Sequence, residues 1–566
     1  MKKLPLFLLA LGACGASMAQ TSGPLVSKPA MMATSEPIRQ IAARGLANAF
    51  DVREPRAIRD HKMRKGADAN QELARSSLAA QAKALALSVP ANTPYAQTAN
   101  FAPLGAVMGA NFEALGVGTP GYGVSSAPPD TTMAVSETHV VQWVNTQIGI
   151  YNKSGTSLLP APGFINGNQL WQGLPDGSLC KATNRGDPIV QFDKHAKRWV
   201  FSQFAFDSDF TQNAQCIAVS LTDNPMGAYA LYQYNFGALL PDYGKLGVWP
   251  DAYYITYNMF NVNANTFNGA QSCAYDRAAM LSGLAATQIC FNSTDFFSFL
   301  PSDLDGHKLP PAGTPNLQIS WDWYNTLPPY TIRLNKFKPD FVTPASSTFD
   351  DGQGGGTFSF VSFPLDANSV GACNDAGAGS GFQCVKQAGT GQTLDTLGDR
   401  QMYRLSYRNY GSYDALLVTQ AIDDSAGVNA HLRWIEVRSP GSAAPQVYQN
   451  STYRPSTHAR WMSSGAQDKV GNIAIGYSVS SEDMNPAIRV AGRRKTDPKN
   501  LLRTEVSIKE GTGSQTGGLE RWGDYSTMQV DPTDDCTFWY TQQYIAANGS
   551  FNWNTRVASF RFPNCK

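Results

Sequence analysis

From about Thr98 to its end, the chain alternates apolar and polar residues in short runs, and helical spacing is nearly absent. Runs such as "VVQWVNTQ", "RWVFSQFAF", "NIAIGYSV" and "CTFWYTQQY" read as strands, each flanked by a turn rich in Asp, Asn, Gly or Pro. Upstream the pattern changes. Residues 20–100 hold the Ala-rich, helically spaced "IRQIAARGLANAF" and "NQELARSSLAAQAKALALS" around a basic, polar stretch. This segment is expected to be a solvated linker or a loosely attached helical arm, with a pro-segment as the alternative.

The strands recur as a unit. In "RWGDYSTMQVDPTDDCTFWYTQQY", Asp524 precedes an alternating run, a turn follows, and then an aromatic strand. The same order appears in "PPDTTMAVSETHVVQWVNTQIGIYN" with Asp130, "RGDPIVQFDKHAKRWVFSQFAF" with Asp187, and "VWPDAYYITYNMF" with Asp251. A weaker copy starts near Asp305, and two more carry Arg400 and Arg460 at the repeated position. Copies start about 54–64 residues apart, with one wide gap, and periods of this size mark solenoids, propellers or arrays. The lack of helices between strands excludes a βαβ solenoid, and the lack of polar linkers argues against a tandem of sandwiches. A unit of about four antiparallel strands is a propeller blade.

The expectation is therefore an all-β, seven-bladed β-propeller over 101–566, with six blades as the alternative count. The wide gap, with "FDDGQGGGTFSF" and "GACNDAGAGSGFQC", reads as an insertion on one blade. The last unit shows only three strands. An unclosed blade leaves an exposed edge, so Val107 to Val117 is expected to supply the missing strand.

The first residues, "MKKLPLFLLALGACGASMAQ", combine two lysines, an apolar core and small residues before a cut after Ala19, the pattern of a signal peptide over 1–19. Leu11-Gly12-Ala13-Cys14 also resembles a lipobox, so lipidation of Cys14 is the alternative; either way the protein is expected to be secreted or at the cell surface. Beyond Cys14 eight cysteines remain, an even number that in an exported chain reads as disulfides. Their clustering favours neighbours: Cys180 with Cys216, Cys273 with Cys290, Cys373 with Cys384, and Cys536 with Cys565. No C-x-x-C occurs and no His stands at zinc spacing from them, so no metal ligand set is predicted. Calcium at the oxygen-rich turns "DPTDD" or "DLDG" is the one cofactor the sequence leaves open.

Charge narrows the partners. Charged residues make up 16% and the net charge is +1, which shows no footprint for nucleic acid. No internal apolar run approaches the ~20 residues of a membrane span. The chain is expected to act as a monomer on an extracellular polysaccharide or glycoconjugate.

"DTTMAVSETHVVQWVN", "GDPIVQFD", "WPDAYYITYNMF" and "WGDYSTMQVDPTDDCTFWYT" together resemble a group of secreted bacterial β-propeller proteins of the broad sialidase or neuraminidase-like class, over roughly Ala102 to Cys565. The resemblance implies fold and export. It departs from true sialidases in lacking a Phe-Arg-Ile-Pro motif and a complete Asp-box, of which "TFDDG" matches only the first half.

In a propeller the first strand of each blade lines the central channel, so the repeated acids would form a ring near one mouth. The structural alternative is that each Asp accepts backbone N–H groups and locks neighbouring blades together. Arg400 and Arg460 break the acidic rule, and their guanidinium forks suit a carboxylate or sulfate. The predicted ligand-binding set is Arg400, Arg404, Arg460, Asp251 and Trp522. The predicted catalytic set is Tyr403, His458, Asp187 and Asp524, the types needed for a sialidase-like hydrolase or a uronate lyase. Trp249, Tyr253, Tyr254 and Tyr525 could stack on sugars or simply fill space between blades. A non-catalytic propeller recognising a glycan or protein is the alternative function.

Overall fold

The computed structural model describes residues 23–45, 54–55, 95–294, 296–321, 331–352, 357–364, 373, 383–422 and 429–566. The expected signal peptide, Cys14, much of the expected arm and most of the Gly-rich insertion lie outside the described residues.

The described chain is nearly all β, arranged as successive, mainly antiparallel four- or five-stranded units that are numbered here as sheets in chain order. Sheet 1 comprises Thr132–Val135, His139–Val144, Gln147–Asn152 and Ile165–Asn166. Sheet 2 comprises Gly186–Asp193, Arg198–Phe206, Asn213–Ser220 and Tyr229–Gly237, and sheet 3 Leu240–Val248, Ala252–Asn261, Thr266–Asp276 and Gln288–Ser293. Sheet 4 runs through Leu300–Asp305, Asn316–Trp321 and Thr331–Lys338, with Thr348–Asp350 and Val361–Pro364 both on its third strand.

Sheet 5 comprises Leu405–Asn409, Asp414–Ile422, His431–Arg438 and Gln446–Tyr453; its first strand pairs in parallel with that of sheet 4, and Tyr95–Gln97 pairs in parallel with its last. Sheet 6 comprises Ala459–Gln467, Ile473–Ser481, Met484–Arg493 and Arg503–Lys509. Sheet 7 comprises Thr527–Val530, Phe538–Ile545 and Trp553–Arg561, and Val107–Gly116 is its fourth strand. The strand expected to complete the last unit therefore does so, with Val557 opposite Phe112 and Ala558 opposite Asn111.

First strands of successive sheets lie side by side from sheet 1 to sheet 7, and that of sheet 7 returns to sheet 1. Period-2 alternation explains the packing. In Arg198–Phe206, Trp199 and Phe201 enter one core with Trp143 of sheet 1, while Val200 enters another with Ile255 of sheet 3. Both faces of such a strand are buried between neighbours, which is why the aromatic content is high. Trp143, Trp199, Trp249, Trp434, Trp461, Trp522 and Trp553 are all fully buried. Trp249, Tyr253, Tyr254 and Tyr525 are buried as well, so their ring faces are not open to a sugar.

All four neighbour disulfides are present: Cys180–Cys216, Cys273–Cys290, Cys373–Cys384 and Cys536–Cys565. Such bonds fit an extracellular protein, and among the described residues no helix is long and apolar enough to cross a membrane.

Two expectations are corrected. The first part of the presumed arm is not loosely held: Leu25–Ser27 pairs with the outer strand of sheet 3, and Met31–Thr34 with that of sheet 2. The helix Ile38–Ala43 then buries Ile38, Ile41 and Ala42. Short strands and one helical turn carry little periodic signal, so Ala content dominates the sequence pattern there. The second correction concerns register. Asp251 does not start a first strand but lies in the turn between the first two strands of sheet 3, and Asp305 ends the first strand of sheet 4. The true first strand of sheet 3, "LPDYGKLGV", contains Pro, Lys and two Gly and so reads as a loop.

Candidate functional site

At the start of several first strands the backbone is distorted in the same way. Register shifts occur between Gly186 and Ile189, between Asp242 and Lys245, and between Trp461 and Ser464. Within each bulge one non-glycine residue takes a left-handed conformation: Asp187 (φ 44°), Tyr243 (φ 52°) and Met462 (φ 49°). Asp130, just ahead of sheet 1, has φ 50°. Bulges re-aim side chains, and non-glycine residues hold this conformation only where the surroundings enforce it.

Here a charged cluster gathers from sheets 1, 2, 3 and 7 and from the segment Asp395–Arg400 ahead of sheet 5. The Asp130 carboxylate accepts the Asp524 amide at 2.7 Å and the Asn145 side-chain amide at 2.8 Å. Asn145 in turn accepts the Asp187 amide at 3.3 Å. The Tyr525 hydroxyl lies 3.2 Å from an Asp187 oxygen and 3.0 Å from the Gly244 carbonyl, so its single proton serves one or the other. One terminal nitrogen of Arg521 donates to both oxygens of Asp524, and its Nε lies 3.8 Å from Asp395. Arg400 chelates Asp399 through two bonds of 2.7 and 2.9 Å and stacks on Tyr243, 4.6 Å from the ring centre. Lys245 sits 3.7 Å from the same ring and donates to the Ser298 hydroxyl at 2.7 Å.

Burial sets the protonation of this cluster. It raises the Asp130 carboxyl well above the usual range, helped by the nearby charges of Asp524 and Asp187. Burial also raises Asp524, against the lowering pull of Arg521. Lys245 is pushed well down by burial and then by the Arg400 charge. Most members are enclosed, but the Asp524 and Arg521 side chains keep 13% and 16% exposure, and Asp187 is half-buried. These three are where the cluster meets solvent.

Sequence-predicted residues divide into those in the cluster and those outside it. Asp187, Asp524 and Arg400 belong to it. Arg404 instead lies deeper, held between Asp303 and Asp305 at 2.5 Å each, and donates to the Met528 carbonyl at 2.9 Å. Burial alone would raise Asp305, but Arg404 and Lys194 outweigh it and hold the carboxyl at about 2. Tyr403 donates to the Leu246 carbonyl at 3.1 Å and receives Gln191, and burial raises its hydroxyl well above the usual range. With Gln529 bonded to Gln191, these side chains tie sheets 2, 4, 5 and 7 together.

Arg460 does not join Arg400. It binds Glu505 at 2.8 and 2.9 Å, the His458 carbonyl at 2.8 Å and the Ser456 hydroxyl at 3.0 Å, while Tyr477 donates to Glu505. His458 is half-buried, with its ring 3.9 Å from Asp483. Asp251 lies outside the cluster too, exposed in a turn and accepting the Tyr254 hydroxyl at 3.2 Å. Trp522 is 0% exposed and donates to Ser478, so neither ring face can receive a sugar.

Sequence reasoning missed Tyr243, Lys245, Asp395, Asp399, Arg521 and Asn145. The adjacency of Asp399 to Arg400 and the three-residue spacing of Arg521 from Asp524 were the available signals.

The turns considered for calcium have their carboxylates engaged. Asp531 takes Lys153 and Trp539, Asp534 takes Cys536 and Thr537, Asp535 takes Arg408, and Asp303 and Asp305 take Arg404. Among the described residues no group of three or more His, Cys, Asp or Glu could hold a metal ion.

No protein-family model and no curated protein matches the chain. Solved structures similar to it include an alpha-L-arabinanase of Penicillium chrysogenum complexed with arabinobiose, at 7% identity and TM-score 0.34, covering 81% of this chain and 100% of the other. An ulvan lyase matches at 10% identity and TM-score 0.33, over 79% and 97% of the two chains. Drosophila Semaphorin 1b matches at 9% identity and TM-score 0.33, over 83% and 88%. Likenesses this distant add no weight to any reading of the site.

Proposed function

We propose that the protein is a secreted, seven-bladed β-propeller that cleaves an anionic glycan at the Asp187–Arg521–Asp524 face of the central cluster. The closed cycle of first strands supports the blade count, since each sheet then plays the part of one blade. The observation that carries the activity is the crowding of Asp130, Asp187 and Asp524 beside Arg521, with Asp524 raised and still reaching solvent.

Glycoside hydrolysis needs two carboxyl groups in different protonation states across the scissile bond. Asp524, whose carboxyl burial raises against the pull of Arg521, is assigned the role of proton donor to the leaving oxygen. Asp187, steadied by the Tyr525 hydroxyl, acts as the opposing carboxylate that activates water or attacks the sugar. Arg521 orients the acidic group of the substrate while it tempers the rise of Asp524. Asp130 and Asn145 position the other two, because their bonds reach the backbone of both.

A panel of sialylated, sulfated and uronate glycans tests this reading, with released reducing ends measured alongside the ultraviolet signal of an unsaturated uronate. Reducing ends without that signal are expected. An unsaturated product would reassign the site to a lyase, and saturable binding with no turnover of any member would make the protein a recognition module.

A further inference from the structure

The segment from Leu25 to Gly45 contacts the rest of the molecule as a bound peptide would. Its first strand, Leu25–Ser27, runs antiparallel to the outer strand of sheet 3, with Leu25 opposite Cys290 and Ser27 opposite Gln288. Lys28 then reaches Thr287 at 2.6 Å. The chain crosses to sheet 2, where Met31–Thr34 pairs with Tyr229–Gly237 from Met31 opposite Gln233 to Thr34 opposite Ala230. Ser35 closes the run with a reciprocal pair, its amide to the Tyr229 carbonyl at 2.8 Å and the Tyr229 amide to its hydroxyl at 2.9 Å.

A helical anchor comes next. The amides of Ile38 and Arg39 bond the carbonyls of Gly227 and Met226 at 3.0 and 3.1 Å. Ile38 and Ile41 drop into the core that holds Leu170 and Trp171. The docking surface is shaped for this: a Cβ on Gly173 would stand 2.6 Å from the Thr34 carbonyl oxygen. Strand addition to a sheet edge, then apolar helical anchors, combines two familiar modes of peptide recognition. Every one of these contacts is made by side chains or backbone within the segment, and none depends on its covalent link to the chain beyond Gly45.

We propose that the outer edges of sheets 2 and 3, with the apolar site beside Trp171, form a peptide-binding surface whose ligand is the segment Leu25–Gly45. The surface accepts that segment from a second copy of the chain as it does from its own, the geometry of a swapped strap. The recognised features are an extended run in antiparallel register, starting at Leu25, and the Ile-x-x-Ile turn formed by Ile38 and Ile41.

The test uses the full-length chain and a fluorescent peptide of residues 23–45. Ile38→Asp with Ile41→Asp weakens the chain's own strap and leaves the surface open. The wild-type peptide is expected to bind this variant saturably at one per chain. Its affinity there should exceed that for the wild-type chain at least about tenfold, because a tethered strap competes intramolecularly for the same surface. A peptide carrying both Asp substitutions should not bind, and Gly173→Val added to the variant should abolish binding. Equal binding of the two peptides, or no gain over the wild-type chain, overturns the proposal. Should the variant fail to fold, a cleavage sequence inserted after Gly45 of the otherwise wild-type chain replaces it. The severed strap is then expected to co-elute with the body and to exchange with labelled peptide; release without rebinding overturns the proposal equally.

Discussion

In the turn after Ala459–Gln467, the Asp468 carboxylate accepts the amides of Val470, Gly471 and Asn472 and the Asn472 side chain. Burial outweighs these bonds and pushes the carboxyl up to about 6. An acid raised in the folded state stabilises below its unfolded value of 3.8, and that contribution is lost as pH rises through about 6. A shift of this size is worth about 3 kcal/mol. Asp468→Asn is therefore expected to flatten the decline in stability between about pH 4 and 7, as read by urea midpoints at each pH. An unchanged slope would show that the bonds, not burial, govern this group. Arg460 belongs to the same scale. A guanidinium at a repeated position looks poised for a ligand, but Glu505, far along the chain, already fills its fork. Arg460→Lys keeps the charge and loses the paired bonds, so stability is expected to fall by about 1–3 kcal/mol in urea unfolding.

Elements are legible in the sequence wherever both faces of a strand are apolar or the alternation is clean, as in Arg198–Phe206 and Phe538–Ile545. The closing strand is legible for a topological reason, because a three-stranded last unit needs a partner. Leu115 within it is fully buried and its amide bonds the Gln142 side chain of sheet 1, so this strand also joins the two ends of the cycle. Leu115→Ala is expected to cost about 2–5 kcal/mol, and the loss should appear as a single transition if the cycle unfolds as one unit. Two separated transitions would mean that the seam opens independently. The elements that escape the sequence pattern share one property. First strands such as Leu240–Val248 are enclosed by other first strands and carry polar residues inward, so the usual contrast between core and solvent faces is missing. The bulges at Asp187 and Tyr243 add a second difficulty, since one extra residue reverses which side chains face the centre.

Across the whole molecule the polar interior is arranged in two levels. Arg404, Asp303, Asp305 and Tyr403 form one of them, with bonds that join sheets 2, 4, 5 and 7. The charged cluster lies where first strands begin, and the raised carboxyl of Asp524 approaches solvent there. The repeated acid position is thus part structural and part available for chemistry: Asp130 locks neighbouring backbones, whereas Asp187 and Asp524 reach outward. Repetition in sequence reveals the architecture but cannot separate those roles, because the distinction depends on burial and on partners distant in the chain. The most direct measurement compares kcat/KM of the wild type, Asp524→Asn and Asp251→Asn on whichever anionic glycan is turned over, with melting temperature recorded for each. Asp524→Asn is expected to lower kcat by about 10²–10⁴-fold with its melting temperature held, while Asp251→Asn, outside the cluster, stays within about twofold of wild type. Full activity in Asp524→Asn would contradict a catalytic centre at this face.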